Sequence, residues 1–291
     1  MNTISPYIRV IRPKHWIKNI LVLVPLFFAW KVTVDTTVIA IASLVAFSAT
    51  ASIVYILNDL ADTEADRLHP EKKFRPFAAG TLSHRQGKVL AALLVLIAII
   101  ASWTLSSGFQ LTLFGYFILN LLYSFYLKRR LIIDVMILAA GFVLRVVAGG
   151  FAFHVTLSPW ILLCTFFASL FIGFGKRKNE TDILQEGSHK HRAVLEHYTR
   201  DFLNQLLGLT AAMTIMSYSL YTIDAKTVDH FGTDNLIYTV PFVVYGVFRY
   251  FHLMYNLSSG GDPTKIFLKD KMTIINIFCW ALSFVLITNY F

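Results

Sequence analysis

The sequence predicts an all-α polytopic membrane protein, one domain of nine transmembrane helices spanning residues 1–291, on three observations. The chain of 291 residues is 56% hydrophobic and 15% charged, with a mean hydropathy of +0.61; soluble domains carry about 25% charged residues, so little of this chain can face water. Apolar runs of about 20 residues, the length of helix that crosses the hydrocarbon layer, recur from end to end. The runs are continuously apolar and lack the alternation of a barrel strand. Secreted disulfide scaffolds, coiled coils and disordered chains are excluded.

Nine spans follow in order, at about 19–35, 37–57, 88–107, 109–127, 131–153, 158–175, 203–223, 236–257 and 273–291. The first is the weakest, because Pro25 should kink it and Lys31 lies near its far end. No small-residue cleavage site follows it, so it reads as an uncleaved helix. Cys164 and Cys279 sit inside apolar runs and read as small core residues without metal or disulfide spacing.

Basic residues give the orientation. With the N-terminus in the cytoplasm, 23 of the 26 Lys and Arg fall in the N-terminal segment, the connections on the cytoplasmic side or the helix ends that border them. Only Lys31, Lys226 and Arg145 lie elsewhere, a strong positive-inside bias that sets the C-terminus on the opposite side. The net charge of +9 is therefore a topological signal, with nucleic acid a poor partner. The two longest cytoplasmic connections, 58–87 and 176–202, concentrate the charge, and function is expected there.

The stretch Asn58-Asp59-Leu60-Ala61-Asp62-Thr63-Glu64-Ala65-Asp66 directly extends the second span. If the helix continues, Asp59, Asp62 and Asp66 share one face. Clustered carboxylates suit a divalent cation, and Mg²⁺ takes one or two carboxylates together with waters and substrate phosphate oxygens, so a diphosphate is the natural guest. The alternative is a solvated helix end whose acids pair with Arg67, Lys72 and Lys73. Beyond it, Lys72-Lys73-Phe74-Arg75-Pro76 returns toward the membrane and ends at Gly80, offering cations to a phosphorylated ligand or simply anchoring the loop.

Asn58-Asp59-x-x-Asp62-x-x-x-Asp66 followed by Arg75-Pro76-x-x-x-Gly80 resembles the first aspartate-rich motif of the UbiA superfamily of intramembrane prenyltransferases. Tyr123-Ser124 with Lys128-Arg129 is similar to the same superfamily, and the likeness covers nearly the whole chain. It implies a nine-helix bundle whose active-site cavity faces the cytoplasm. Most members carry a second aspartate-rich motif after the sixth helix. Here that place holds Gly175-Lys176-Arg177-Lys178-Asn179-Glu180-Thr181-Asp182. Glu180 and Asp182 remain able to assist a metal, while the three cations suit an additional phosphate.

That departure, with Arg12-Pro13-Lys14-His15-Trp16-Ile17-Lys18-Asn19 and the Gly141, Arg145, Gly149 pattern of the fifth span, resembles the polyprenyl-phosphate phosphoribosyltransferase branch. The resemblance implies a pentosyl transfer: Mg²⁺ held by Asp59, Asp62 and Asp66, with Asn58 assisting, grips the diphosphate of 5-phosphoribosyl 1-diphosphate. Arg75, Lys176 and Arg177 take the remaining phosphate charge, and a polyprenyl phosphate attacks C1. Lys18, Arg67, Lys72, Tyr123, Lys128, Arg145 and Glu180 complete the expected substrate-binding set. Two other readings keep the same carboxylates or charges: a prenyltransferase joining a prenyl diphosphate to an aromatic acceptor, and a phosphorylated-lipid flippase.

Two charges lie within the fifth span. Asp134 and Arg145 each cost about 2.5–3.5 kcal/mol if placed centrally in lipid, so both should face a cavity. Eleven residues put them on one helix face but about 16 Å apart in rise, so each needs another partner. For Arg145 the choices are a phosphate or ribose contact and, against it, an internal salt bridge or hydrogen bonds between helices. His189, His191 and His197 lack a fourth ligand at zinc spacing and read as a polar loop.

Overall fold

The computed structural model describes residues 5–29, 33–68, 72–185, 197–256 and 269–290. Among them are twelve α-helices and short 3₁₀ segments, with no strand. Eight helical stretches are long and apolar enough to cross a membrane. The chain divides into two compact units, Met1–Leu127 with Gly141–Leu157, and Lys128–Ala140 with Ser158–Phe291.

In the first unit, helix α1 (Pro6–Ile11) leads into a 3₁₀ helix, Pro13–Leu23, and then α2 (Val24–Ala29). The latter two segments make the first expected span helical over residues 19–29, in 3₁₀ geometry at its start, and Lys31 lies outside the described residues. The reason for that geometry is a period of three. Trp16, Asn19 and Val22 repeat at i, i+3, which eclipses them on one face of a 3₁₀ helix. Trp16 Nε1 donates to Ser52 Oγ at 3.0 Å, and Asn19 Nδ2 donates to Ser48 Oγ at 3.1 Å. Val22 meets Gly149, where an added Cβ would stand 2.0 Å from the Val22 carbonyl oxygen.

Helix α3 (Val34–Ala61) starts with a capping box between Thr33 and Thr36 and packs on α1, the 3₁₀ helix, α5 (His84–Ser102) and α6 (Ser107–Phe125). Its buried Ala46, Ser48, Ala49 and Ser52 let neighbours approach closely. Two apolar clusters hold the unit, one around Ile53, Ile56, Phe77 and Leu94, the other around Phe47, Phe109, Leu113 and Ala148. After α3 the short α4 (Thr63–Arg67) continues the chain to a turn at Gly80, whose φ of +69° suits glycine. Ser83 and Gln86 then form the capping box that begins α5.

Helix α7 (Ile133–Phe153) contributes its first turns to the second unit and the rest to the first. The second unit is built on α8 (Pro159–Gln185) against α9 (Arg200–Ile223), with Phe171, Phe174, Leu203 and Leu207 in its core. Helix α8 runs ten residues beyond the expected sixth span, so Lys176 to Asp182 lie on a helix, not in a loop. Two pairs one turn apart support the extension, Arg177 with Glu180 at 2.6 Å and Lys178 with Asp182 at 2.8 Å. A short α10 (Ala225–Phe231) follows α9, and α11 (Val240–Asn256) packs on α12 (Lys271–Tyr290). Asp270 starts α12 by accepting the Thr273 N–H at 2.8 Å and binds Arg249 of α11 through two nitrogens. The Arg249 guanidinium and the Thr273 donors hold the Asp270 carboxyl below the usual range.

Candidate active site

The carboxylate face forms as the helix geometry requires, with one joint. Helix α3 ends at Ala61, Asp62 stands between α3 and α4 with φ −90° and ψ 6°, and the i to i+4 bonding nevertheless continues. Asp62 N–H donates to the Asn58 carbonyl at 2.9 Å, and Asp66 N–H to the Asp62 carbonyl at 2.8 Å. Asp59 and Asp66, seven residues apart, consequently lie on one face, and both are buried, 2% and 3% exposed. Asp62 is half-buried beside them in sequence.

What lies between the two buried carboxylates is a guanidinium. Arg75 Nη1 donates to Asp59 Oδ1 at 3.1 Å and to Asp66 Oδ2 at 2.8 Å. Arg12 Nη2 donates to the same Asp59 oxygen at 2.6 Å. The expected set of three metal-holding carboxylates is not assembled: among the described residues no three His, Cys, Asp or Glu side chains gather closely enough to hold an ion. The physical reason is the pairing. Two carboxylates facing each other in a buried site repel unless a cation intervenes, and Arg75 fills that role.

The donor set still fits Mg²⁺. One Arg75 nitrogen touches an oxygen of each carboxylate, so both oxygens converge on one point, and two carboxylates plus phosphate oxygens form an ordinary Mg²⁺ environment. Arg12 and Arg75 balance Asp59 and Asp66 charge for charge. A phosphorylated ligand would give the guanidiniums new partners and leave the carboxylates to a cation.

Sequence reasoning passes over Arg12 as a site residue, although it opens one of the motifs quoted above. Its signal is positional: it ends α1, precedes Pro13 and adopts φ 54°, ψ 60°, a left-handed conformation costly for a side-chain-bearing residue. That backbone turns its guanidinium onto Asp59 and over the Tyr55 ring, 4.9 Å from the centroid.

Arg145, in the same unit, is buried. Nε donates to Asn19 Oδ1 at 2.9 Å, Nη1 to the Gly141 carbonyl at 2.8 Å and Nη2 to the Tyr116 hydroxyl at 2.8 Å. The bonds to Asn19 and Tyr116 join helices, as one of the sequence's alternatives expects, while that to Gly141 stays within α7. Of the remaining residues in this unit, Arg67 forms an exposed pair with Glu64 at 2.9 Å. Lys18, Lys72 and Tyr123 are half-buried, and Asn58 is half-buried at the end of α3.

The basic stretch belongs to the second unit. Arg177 is 1% exposed, and its Nε donates to Asp134 Oδ2 at 2.7 Å while Nη1 reaches Glu180 Oε2. Asp134 thereby finds the partner its span position demands. The Tyr198 hydroxyl donates to Asp134 Oδ1 at 2.8 Å and accepts the Ile132 N–H at 2.9 Å. Ile132 has φ 65°, strained for a β-branched residue, and this bond pins it at the entrance to α7. Burial, then the Asp134 charge, pushes the Tyr198 hydroxyl above the ordinary tyrosine range, so it keeps the proton it donates. Instead of offering its guanidinium to solvent, Arg177 is turned inward between two carboxylates. Lys178 lies over the Tyr255 ring and pairs with Asp182, and Lys176 is exposed. Lys128 is half-buried. His197 is exposed, whereas His189 and His191 lie outside the described residues.

Comparison with known proteins follows the same lines. A model of the UbiA prenyltransferase family matches residues 19–275. The chain is 32% identical to a decaprenyl-phosphate phosphoribosyltransferase of Mycolicibacterium smegmatis, with 96% of this chain and 91% of that protein covered. It is 35% identical to a protein of the same name from Corynebacterium glutamicum, with 98% and 87% covered. Among solved structures, a UbiA homolog from Archaeoglobus fulgidus bound to GPP and Mg²⁺ matches with a TM-score of 0.71 over 95% of this chain and 99% of that one, at 18% identity, a likeness of fold.

Proposed function

Because the chain belongs to the UbiA prenyltransferase family, an integral multi-pass membrane family of transferases, we propose that it moves 5-phosphoribose from 5-phosphoribosyl 1-diphosphate to a polyprenyl phosphate, releasing diphosphate. The observation that carries this reading is the convergence of Asp59 and Asp66 on one Arg75 nitrogen, with Arg12 on the same Asp59 oxygen. It supplies carboxylates for a cation and guanidiniums for phosphate oxygens in one place. The names of the relatives support the phosphoribosyl group as what is moved and a polyprenyl phosphate as its acceptor.

In this proposal Asp59 and Asp66, with Asp62 and Asn58 assisting, hold Mg²⁺. When bound there, the ion would supply Lewis-acid stabilisation to the departing diphosphate. Arg75 and Arg12 exchange carboxylate for diphosphate oxygens, so the site's pairing is conserved as the donor enters. Lys18 and Lys72 add positive charge toward the same ligand, and Arg67, Tyr123, Lys128, Arg145 and Glu180 keep their assignment to the substrate set. Lys176 and Arg177 keep their assignment to the remaining phosphate charge. The acceptor oxygen is already anionic at neutral pH, so no general base is needed, and the protein's task is to align reactants away from water. Displacement at C1 inverts its configuration. The N-terminus and these residues lie on the cytoplasmic side and the C-terminus on the other, following the basic residues.

The test is incubation of purified protein with labelled 5-phosphoribosyl 1-diphosphate, Mg²⁺ and polyprenyl phosphate. Lipid-linked label is expected, and Asp59→Ala should abolish it. Transfer only from a prenyl diphosphate, or none at all, overturns the reading.

A further inference from the structure

Tyr55 lies four residues before Asp59 on the unbroken helix α3, and thus on the same face, one turn or about 6 Å deeper in the apolar span. Its ring is fixed from two sides. The Arg12 guanidinium lies 4.9 Å from its centroid, and the His15 ring meets its edge at 5.4 Å between centroids, with planes 61° apart. Arg12 therefore ties Tyr55 and Asp59 into one rigid constellation. The side chain is half-buried, and its hydroxyl makes no hydrogen bond among the described residues.

The surroundings select the charge of what that hydroxyl meets. Its electrostatic neighbours are Tyr116, Arg145 and Arg12. Arg12 is neutralised by Asp59. Arg145 is different: all three of its hydrogen bonds go to neutral groups, Asn19, Gly141 and Tyr116, and it lies over the Tyr116 and Phe142 rings. Among the described residues no carboxylate pairs with it. A permanent cation buried in a span without a counter-ion favours an anion nearby.

We infer that Tyr55 is an acceptor-binding residue, its hydroxyl donating to an oxygen of the phosphomonoester that ends the lipid, with Arg145 supplying the unbalanced positive field. The inference rests on the transfer proposed above and deepens it. The donor's diphosphate is held at Asp59, and a nucleophile approaching C1 from the far side must come from the deeper side of that point, where Tyr55 stands. One phosphate oxygen forms the bond to C1 as the bond from C1 to the diphosphate oxygen breaks, and the electron pair leaves with the diphosphate. Tyr55 keeps its proton throughout, so the balance needs no further reactant.

Tyr55→Phe tests this directly, since it keeps the ring, both ring contacts and the carboxylate cluster. Loss of a hydrogen bond to a charged group should raise KM for polyprenyl phosphate on the order of 10- to 100-fold. KM for the sugar donor should stay at the wild-type value, and binding of polyprenyl phosphate without donor should weaken by the same factor. In an Arg145→Gln background the Tyr55→Phe effect should shrink; Tyr55→Phe alone decides the matter where that background fails to fold. A raised donor KM with unaltered acceptor binding overturns the inference, because the hydroxyl then faces the sugar. Wild-type KM values for both substrates overturn it as well. Failure of the wild-type protein to transfer phosphoribose is a separate result that removes the underlying function and the inference with it.

Discussion

Replacing Asp134 by alanine isolates the internal ion pair of the second unit. The mutation leaves the Arg177 guanidinium, 1% exposed, with Glu180 as its acidic partner and removes the acceptor of the Tyr198 hydroxyl. Deleting one member of a buried pair costs about 3–5 kcal/mol where the survivor is left unpaired, and the lower end applies because Glu180 still holds Nη1 of Arg177. The orphaned hydroxyl adds about 1 kcal/mol. With a melting temperature that moves roughly 2–4 °C per kcal/mol in chains of comparable size, a fall on the order of 10 °C is expected. Heating detergent-solubilised protein and measuring the monodisperse fraction by fluorescence-detected size exclusion reads this directly. The double variant Asp134→Leu, Arg177→Met replaces the pair by apolar groups of similar bulk and should recover most of the loss, since Glu180 is partly exposed and can hydrate. A single variant within about 2 °C of wild type, or a double variant less stable than the single one, refutes the electrostatic account.

Other outcomes follow from local geometry. Gly149→Ala drives a methyl to 2.0 Å from the Val22 carbonyl, so the 3₁₀ helix must move; a loss of roughly 1–3 kcal/mol is expected, seen as a lower melting temperature. Ser83→Ala removes the cap of α5 and should cost about 1 kcal/mol, which the same thermal measurement would report. Asp270 has a depressed folded-state pKa, so its contribution to stability is present above the unfolded carboxylate value and declines as pH falls below about 4 toward the folded one. Asp270→Asn should flatten that acid limb in melting curves recorded from pH 6 to pH 3, and an unchanged slope would remove the assignment. Tyr198→Phe should destabilise by about 1–3 kcal/mol by freeing the Ile132 N–H and the Asp134 oxygen, with amide exchange at Ile132 accelerated.

Most of the helical frame was readable in the sequence because hydropathy over 20 residues depends on composition, not on fine detail. Seven of the nine predicted spans coincide with α-helices to within a few residues at their starts, and the eighth begins as a 3₁₀ turn over Asn235–Thr239. The first is helical over 19–29 but opens in 3₁₀ geometry, which hydropathy does not reveal and the repeat of Trp16, Asn19 and Val22 at three explains. The sixth extends past its hydropathic limit, because pairs between Arg177 and Glu180 and between Lys178 and Asp182 let the polar end stay helical. At the candidate site, the shared face of Asp59 and Asp66 was legible from spacing. Their partners were not, since Arg12 and Arg75 are 47 and 16 residues away from Asp59 in sequence and only tertiary contact brings them together.

The three consecutive cations of α8 illustrate how a helix separates what a sequence joins. Successive side chains on a helix diverge by about 100°, so no single anion can be grasped by all of Lys176, Arg177 and Lys178. Each has a different address: water for the first, a sealed carboxylate for the second, an aromatic face and Asp182 for the third. A basic run of this kind behaves as three independent fixtures, and exchanging any two of them would scramble the core and the surface together while leaving the net charge untouched.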